Sequence, residues 1–305
     1  MTKEEMYLDI NKWKKEKNAI ILAHYYQDGD IQDIADYVGD SLALAQKASK
    51  TDAKIIVFCG VHFMAETAKL LSPKKKVLLP VMEAGCVMAD MMNEKDIKKY
   101  REENPDTIIL MYVNSTAACK QYADCCVTSS NALGIIDYYA KEGKKILYGP
   151  DKNLGSYAMK NSNVQLDLWN GFCGIHNGVK VSDVEDAMKL HPNAEFIAHP
   201  ECNLDVLSKA SYIGSTKQLI EYVTKSDKKE FIIGTEMGVL HEMEKKNPDK
   251  KFYLVSPRLK CYEMKLTRLE DLYNCLKNET NEIFIDEEVA KKAVKCVDKM
   301  LELSK

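Results

Sequence analysis

An internal repeat with a period of about 87 residues constrains this chain more than any other feature of its sequence. Each of three copies presents the same landmarks in the same order: a helical pattern, an apolar run, a hydroxyl-bearing pair, a second apolar run ending in glycine, and a cysteine. The glycines are Gly60, Gly149 and Gly234, and successive ones are 89 and 85 residues apart. A recurring order of landmarks at one spacing indicates three copies of a single supersecondary unit.

The apolar runs predict buried parallel strands. The first run of each copy covers residues 20–24, 108–114 or 196–199, and the second run ends at the glycine. A further strand is predicted in each copy, over residues 77–80, 164–166 and 252–255. Continuous apolar runs bounded by turns are typical of strands that helices cover on both faces. The sequence therefore predicts an α/β fold of three similar parallel-sheet modules, related by pseudo-threefold symmetry around a central active site.

The repeat also predicts where each module begins and ends. We expect the first α/β module over residues 1–88, the second over 89–177 and the third over 178–265. The remaining residues, 266–305, are predicted to form a C-terminal helical segment, with a helix over 286–303, that packs back on the core.

Polar residues stand where the first strand of each module ends, at His24, Asn114 and His199. Ligands of parallel α/β sheets bind beyond the carboxyl ends of the strands. Pseudo-threefold symmetry would bring these ends together in one cavity. Glu201, two residues after His199, is a candidate general base at the same cavity.

Each module closes on a cysteine. Cys86, Cys173 and Cys261 are separated by 87 and 88 residues. Three thiolates around one axis suit an iron–sulfur cluster, and a [4Fe-4S] cluster with three protein ligands keeps one iron open as a Lewis acid. Two other interpretations are three buried structural cysteines, and a zinc site that uses Cys173 with His176. The symmetric placement favours the cluster, because structural cysteines need not recur at equivalent positions.

Composition argues against several classes of protein. A formal net charge of −3 without a basic cluster argues against a nucleic-acid-binding protein. No apolar stretch reaches the length of a membrane span, and residues 1–5 lack the apolar core of a signal peptide. We therefore expect a cytoplasmic protein with no membrane partner, whose ten cysteines are thiols or metal ligands rather than disulfides.

An ordered series of motifs between about residues 20 and 275 resembles the quinolinate synthase family. The series includes His-Tyr-Tyr-Gln at 24–27, Gly-Asp-Ser at 39–41, Tyr-Val-Asn-Ser-Thr at 112–116, Thr-Ser-Ser-Asn-Ala at 128–132, Gly-Pro-Asp-Lys-Asn-Leu at 149–154, His-Pro-Glu-Cys at 199–202, Gly-Ser-Thr at 214–216 and Gly-Thr-Glu at 234–236. Each motif alone is weak, but the ordered series is specific.

This resemblance implies an activity and a cofactor. It implies that the protein condenses iminosuccinate with dihydroxyacetone phosphate, with loss of phosphate and two waters, to form quinolinate in de novo NAD biosynthesis. It implies one [4Fe-4S] cluster per chain, held by Cys86, Cys173 and Cys261. It also suggests a functional link to an aspartate-oxidising enzyme, which supplies iminosuccinate.

The resemblance implies roles for individual residues as well. The expected catalytic residues are Glu201, Tyr26, Tyr112 and His199, of which Glu201 and Tyr26 are expected to transfer protons. The residues expected to bind substrate are His24, Ser41, Tyr112, Val113, Asn114, Ser129, His199, Pro200, Glu201 and Thr216.

One residue departs from the family pattern, and two other functions remain open. Tyr25 stands where many members have Asn, so hydrogen bonding would differ if this side chain lines the site. A [4Fe-4S] hydro-lyase of a small hydroxy acid would need no triose phosphate. A non-enzymatic iron–sulfur sensor would need an output surface, and the sequence presents no DNA-binding helix pair or basic patch.

Overall fold

The structure is a computed structural model that describes residues 1–304 of the 305-residue chain. Three four-stranded sheets follow one another along the chain, and every strand pairing within them is parallel. Helices alternate with the strands throughout. The predicted fold class, three similar parallel α/β modules, is confirmed.

The first sheet has the strand order β2-β1-β3-β4. Its two central strands are almost completely buried, as their uninterrupted apolar runs predict. The elements of this region are α1 (Lys3–Glu16), β1 (Ala19–His24), α2 (Gly29–Ile34), β2 (Tyr37–Gly39), α3 (Ser41–Lys50), β3 (Ile55–Cys59), α4 (His62–Leu71), β4 (Lys76–Leu78) and α5 (Val87–Asp90).

The second sheet repeats this order as β6-β5-β7-β8. Its elements are α6 (Glu94–Glu103), β5 (Ile108–Tyr112), α7 (Ala117–Lys120), β6 (Cys125–Val127), α8 (Ala132–Ala140), β7 (Ile146–Gly149), α9 (Lys152–Ser162), β8 (Asp167–Leu168) and α10 (Gly174–Asn177).

The third sheet has the order β10-β9-β11-β12, and two helices follow it. Its elements are α11 (Val181–Leu190), β9 (Glu195–Ala198), α12 (Leu204–Leu207), β10 (Tyr212–Ile213), α13 (Thr216–Lys225), β11 (Glu230–Gly234), α14 (Val239–Lys246) and β12 (Lys251–Leu254). The helices that follow are α15 (Leu269–Asn278) and α16 (Glu287–Leu303).

The strand predicted over residues 164–166 is wrong. Helix α9 ends at Ser162, the next residue Asn163 adopts a left-handed conformation with φ of 56°, and pairing with β7 begins only at Asp167. The short edge strands β2, β6 and β10 were not predicted. Edge strands of two or three residues carry too few side chains to produce a recognisable apolar run.

The C-terminal helices join the first two sheets. Helix α15 packs on α1, whereas α16 packs against α4 of the first sheet region and α7 and β6 of the second. The buried face of α16 consists of Ala293, Cys296, Val297 and Met300, at helical spacing. Both helices therefore pack against elements of the first two sheet regions. Among residues 1–304, no helix is both long enough and apolar enough to cross a membrane.

Candidate active site

The carboxyl ends of strands from all three sheets meet at one cavity. Local sequence explains this arrangement, because a polar side chain stands at the end of each of these strands or directly after it: His24 and Tyr112 end β1 and β5, and His199 follows β9. Of the fourteen site residues predicted from the sequence, the cavity is lined by His24, Tyr26, Ser41, Cys86, Tyr112, Asn114, Ser129, Cys173, His199, Glu201, Thr216 and Cys261.

Two predicted substrate-binding residues, Val113 and Pro200, do not line the cavity. The backbone groups of Val113 are already used, because its N–H donates to Val127 and its carbonyl accepts from Lys120 at 2.9 Å. Pro200 is buried and has no backbone N–H to donate. Tyr25 also lies outside the cavity, since its side chain packs into the core of the third sheet.

The two strand-end histidines have equivalent local geometry. In both, Nδ1 of the ring accepts a hydrogen bond from the backbone N–H two residues further along the chain. The Tyr26 N–H donates to His24 Nδ1 at 3.1 Å, and the Glu201 N–H donates to His199 Nδ1 at 3.4 Å. This contact leaves the proton on Nε2, and His199 Nε2 lies 3.3 Å from the Ser129 hydroxyl. Burial lowers the pKa of His24 to about 3 and that of His199 to about 4, so both rings are neutral near pH 7.

Glu201 is a buried carboxylate held from two sides. Its Oε1 accepts from the Tyr112 hydroxyl at 2.6 Å, and its Oε2 lies 2.8 Å from His176 Nδ1. Burial favours the protonated carboxyl, but His199, His176 and these hydrogen bonds together outweigh it and lower the pKa of Glu201 to about 2. Glu201 is therefore ionised in this site across the physiological range.

A hydrogen-bonded chain connects Tyr26 with Glu201. The Tyr26 hydroxyl lies 2.7 Å from the Thr235 hydroxyl, which lies 3.0 Å from His176 Nε2. His176 Nδ1 then reaches Glu201. Thr216 donates to Tyr26 at 3.0 Å. Burial raises the pKa of Tyr26 well above its usual value, so its phenol stays protonated.

His176, Thr235 and Glu236 also lie in or beside this cavity, although sequence patterns alone indicated no catalytic or substrate-binding role for them. Thr235 and Glu236 belong to the Gly-Thr-Glu motif at 234–236, which was noted only as part of the family resemblance. His176 lies one helical turn after Cys173 and was considered only as a zinc ligand. Its stacking on the His199 ring, with centroids 4.9 Å apart, depends on contacts between different modules.

Hydroxyl and amide groups complete the cavity. Ser41 and Thr216 are the first residues of α3 and α13, so the N-terminal ends of these ten-residue helices point to the site. Helix N-termini favour anions because their first N–H groups are unpaired and the helix dipole is positive there. The buried Oδ1 of Asn114 has no hydrogen-bond partner among residues 1–304. A bound molecule with a donor group would satisfy it.

The three cysteines of the repeat share one local geometry. Cys86 precedes α5 and Cys173 precedes α10, while Cys261 precedes a turn closed by the N–H of Lys265. The backbone N–H three residues further on, from Ala89, His176 and Met264 respectively, acts to lower the pKa of each thiol.

Burial controls the ionisation of these thiols. It raises the pKa of Cys86 and of Cys261 to about 12, and that of Cys173 well above its usual value, although the backbone N–H groups partly oppose it. The thiols are therefore protonated without a metal, and a metal that binds them has to displace the protons. Three repeat-related thiols on one cavity fit the ligand set of an iron–sulfur cluster.

The remaining cysteines lie away from the cavity in the described part of the chain. Cys202 is fully buried, and the Cys126 and Cys296 sulfurs lie 3.2 Å apart in the core. Metal-binding side chains of mixed type come together at Cys173, His176 and Glu201, whose donor atoms lie within 4.8 Å of one another.

Comparison with known proteins gives one consistent result. A family model described as quinolinate synthetase A protein matches residues 8–302. A quinolinate synthase of Alkaliphilus metalliredigens is 48% identical over 304 residues, which cover 99% of this chain and 100% of the relative. A quinolinate synthase 2 of Methanosarcina acetivorans is 46% identical over 296 residues, 97% of this chain and 95% of the relative. The relationship covers nearly the whole chain, so this protein belongs to the quinolinate synthase family, a family of enzymes of NAD biosynthesis.

Proposed function

We propose that this chain condenses iminosuccinate with dihydroxyacetone phosphate in the cytoplasm, with loss of phosphate and two waters, and so forms quinolinate. The observation that carries the proposal is the meeting of Cys86, Cys173 and Cys261 with acid, base and hydroxyl groups on one cavity. We assign these cysteines to one [4Fe-4S] cluster per chain. When bound, the cluster would supply an open iron that acts as a Lewis acid in the dehydrations.

Groups from three modules are suited to hold the two carboxylates of iminosuccinate. Ser41 and Thr216 offer hydroxyls at helix N-termini, and Ser129 offers a hydroxyl beside His199. The neutral ring of His24 is a further donor on the same cavity. A dicarboxylate bound by helix N-termini and neutral donors needs no lysine or arginine at the site.

Asn114 and the two residues outside the cavity have separate proposed roles. The unpaired Oδ1 of Asn114 accepts a hydrogen bond from the imine nitrogen or a substrate hydroxyl. Val113 and Pro200 act through the backbone, because each neighbours a cavity residue and fixes where that residue leaves its strand.

Tyr26, Tyr112 and Glu201 are proposed to move protons. The two phenols stay protonated near neutral pH and serve as donors, whereas the ionised Glu201 serves as the acceptor. A carboxylate with a pKa of about 2 is a weak base. The negative charge of a bound dicarboxylate raises that pKa, which strengthens Glu201 as a base only when substrate is present. Thr235 and His176 connect Glu201 to Tyr26 and can return the proton.

Two further assignments complete the proposal. Module boundaries at 1–88, 89–177 and 178–265 are supported by one sheet and one cavity cysteine within each range.

An enzyme that oxidises aspartate is the proposed functional partner, because its imine product hydrolyses in water and has to reach this site quickly.

The first test is anaerobic purification, with iron and sulfide counts and a visible spectrum. We expect about four irons per chain in the wild type. We expect this count to fall in Cys86→Ala, Cys173→Ala and Cys261→Ala. Cys202→Ala is the matched control, because Cys202 is a buried thiol outside the cavity. A folded wild-type chain that stays colourless and iron-free after reconstitution would contradict the cluster assignment.

The second test uses the reconstituted enzyme with freshly generated iminosuccinate. We expect quinolinate to form only when dihydroxyacetone phosphate is also present. Water loss from a hydroxy acid without the triose phosphate would instead identify a hydro-lyase.

A further inference from the structure

The loops that carry the three cavity cysteines are tied to their sheets by one repeated backbone contact. A residue after the second apolar strand donates its N–H to the carbonyl two positions before the cysteine. These donors are His62, Lys152 and Met237, and the distances to Ala84, Gly171 and Leu259 are 2.7, 2.9 and 2.8 Å. The contact provides a structural alignment of the three modules that does not depend on side-chain type.

The residue immediately before each donor differs between the modules. It is Val61 in the first module, Asp151 in the second and Glu236 in the third. Asp151 and Glu236 are fully buried, at 0% exposure each, and Val61 is buried as well. Two of the three modules therefore carry a buried carboxylate at a position where the first carries an aliphatic side chain.

Both carboxylates accept a hydrogen bond from the backbone of a cavity cysteine. Asp151 Oδ2 accepts from Cys173 N at 3.2 Å, and Glu236 Oε1 accepts from Cys261 N at 3.1 Å. The second oxygen is used in each case too. Asp151 Oδ1 accepts from Leu154 N at 2.8 Å, which caps α9, and Glu236 Oε2 accepts from Gly238 N at 2.6 Å. Each carboxylate thus joins a cysteine loop to the segment that follows its strand.

The Cys86 loop lacks this connection, because Val61 has no acceptor in its side chain. The residues before Cys86 include Met82 and Glu83, both of which are exposed. By contrast, the Cys261 loop is held further by Lys265, whose Nζ lies 3.6 Å from Glu236 and donates to the carbonyl of Tyr26 at 2.6 Å.

We propose that Asp151 and Glu236 are positioning residues that hold Cys173 and Cys261 in place, and that Cys86 is the ligand released first when the cluster is lost. This inference rests on the cluster assigned in the proposed function. Partners of metal ligands orient them, and their loss lowers metal affinity by about 10- to 100-fold. Cys86 leaves first because the first module alone has no carboxylate at this position.

Asp151→Asn and Glu236→Gln test the proposal with minimal change of shape. An amide has one oxygen, so it must turn its NH₂ group toward one of two backbone N–H groups that the carboxylate accepts. The matched control is Asp40→Asn. Asp40 is also a buried carboxylate with both oxygens used, by Ala43 N at 3.0 Å and the Ser130 hydroxyl at 2.9 Å, but it contacts none of the three cysteines.

The first measurement is the rate at which an iron chelator bleaches the visible absorption of each anaerobically reconstituted protein. We expect release to be about 10- to 100-fold faster in Asp151→Asn and Glu236→Gln than in wild type. We expect Asp40→Asn to release iron near the wild-type rate. The unfolding temperature of each apo-protein is measured alongside, and iron release as slow as in the control would overturn the proposal.

The second measurement identifies the ligand that leaves. Partially bleached protein is treated with iodoacetamide, and the alkylated cysteines are located by peptide mass spectrometry. In wild type and in Asp40→Asn, we expect Cys86 to be alkylated first. In Asp151→Asn we expect Cys173 to be alkylated first, and in Glu236→Gln we expect Cys261 to be alkylated first. An unchanged order of labelling would overturn the positioning roles, because general destabilisation does not select one cysteine. A wild type that binds no cluster would overturn the proposed function together with this inference.

Discussion

Acid should destabilise the apo-protein through its two buried cavity histidines. The pKa values of His24 and His199 are lowered from 6.5 to about 3 and about 4, with burial as the largest cause. The unfolded chain therefore binds more protons than the folded one below pH 6.5. The stability that these neutral rings provide is fully present above pH 6.5 and is lost progressively as the pH falls from 6.5 toward the lowered values.

The size of the effect follows from the two shifts. With an unfolded pKa of 6.5, each ring accounts for a loss of about 2 kcal/mol between pH 7 and pH 5, and the pair for about 4 kcal/mol. Glu201 does not contribute in this window, because its pKa is lowered and its stabilisation is lost only below its usual value of 4.5. The raised pKa of Asp151, a consequence of its burial, acts in the opposite direction. The contribution of Asp151 is present in wild type and in each histidine variant, so it cancels when their losses of stability are compared.

The assay is urea unfolding of the apo-protein at pH 7 and pH 5, for wild type, His24→Gln and His199→Gln. Each variant should lose about 2 kcal/mol less than wild type between the two pH values. His191→Gln is the control, because His191 lies outside the cavity and stacks on Tyr253 with ring centroids 3.5 Å apart. Differences between the variants and wild type below about 0.5 kcal/mol would refute the reasoning, since that is the usual additivity error.

Three further predictions concern the hydrogen bonds of the site. Tyr112→Phe removes a 2.6 Å donor to buried Glu201, which is worth about 1.5–3 kcal/mol, so kcat/KM should fall at least tenfold while the iron content is unchanged. Thr235→Val interrupts the chain between Tyr26 and Glu201 without a change of shape, so kcat should fall more than KM changes; an unchanged kcat excludes the chain as a proton path. Asn114→Ala should raise KM about tenfold and leave the urea midpoint unchanged, because Asn114 Oδ1 has no partner within residues 1–304; a lowered midpoint would point to a structural role.

The repeat predicted much of this fold because it is carried by local patterns. The central strands and the main helices follow from apolar runs and caps, and Asp40 and Ser215 cap the helices α3 and α13 with their side chains. The strand predicted over residues 164–166 was wrong because Asn163 turns the chain before pairing begins, and a single residue with a left-handed backbone leaves no periodic signal in the sequence.

The sequence by itself determined the three modules, their parallel strands and the symmetric cysteines, because these depend on apolar periodicity and on residues at equivalent positions within each module. Only the tertiary structure decided the contacts between residues far apart in the chain. Between modules, His176 contacts Glu201 and Thr235, and the Thr235 hydroxyl contacts Tyr26, which is 209 positions away. Within the second and third modules, buried carboxylates accept from the backbone of Cys173 and Cys261, which are 22 and 25 positions away. Such contacts depend on how strands, loops and whole sheets pack against one another, and that packing is fixed by shape and burial over the whole chain rather than by any local pattern.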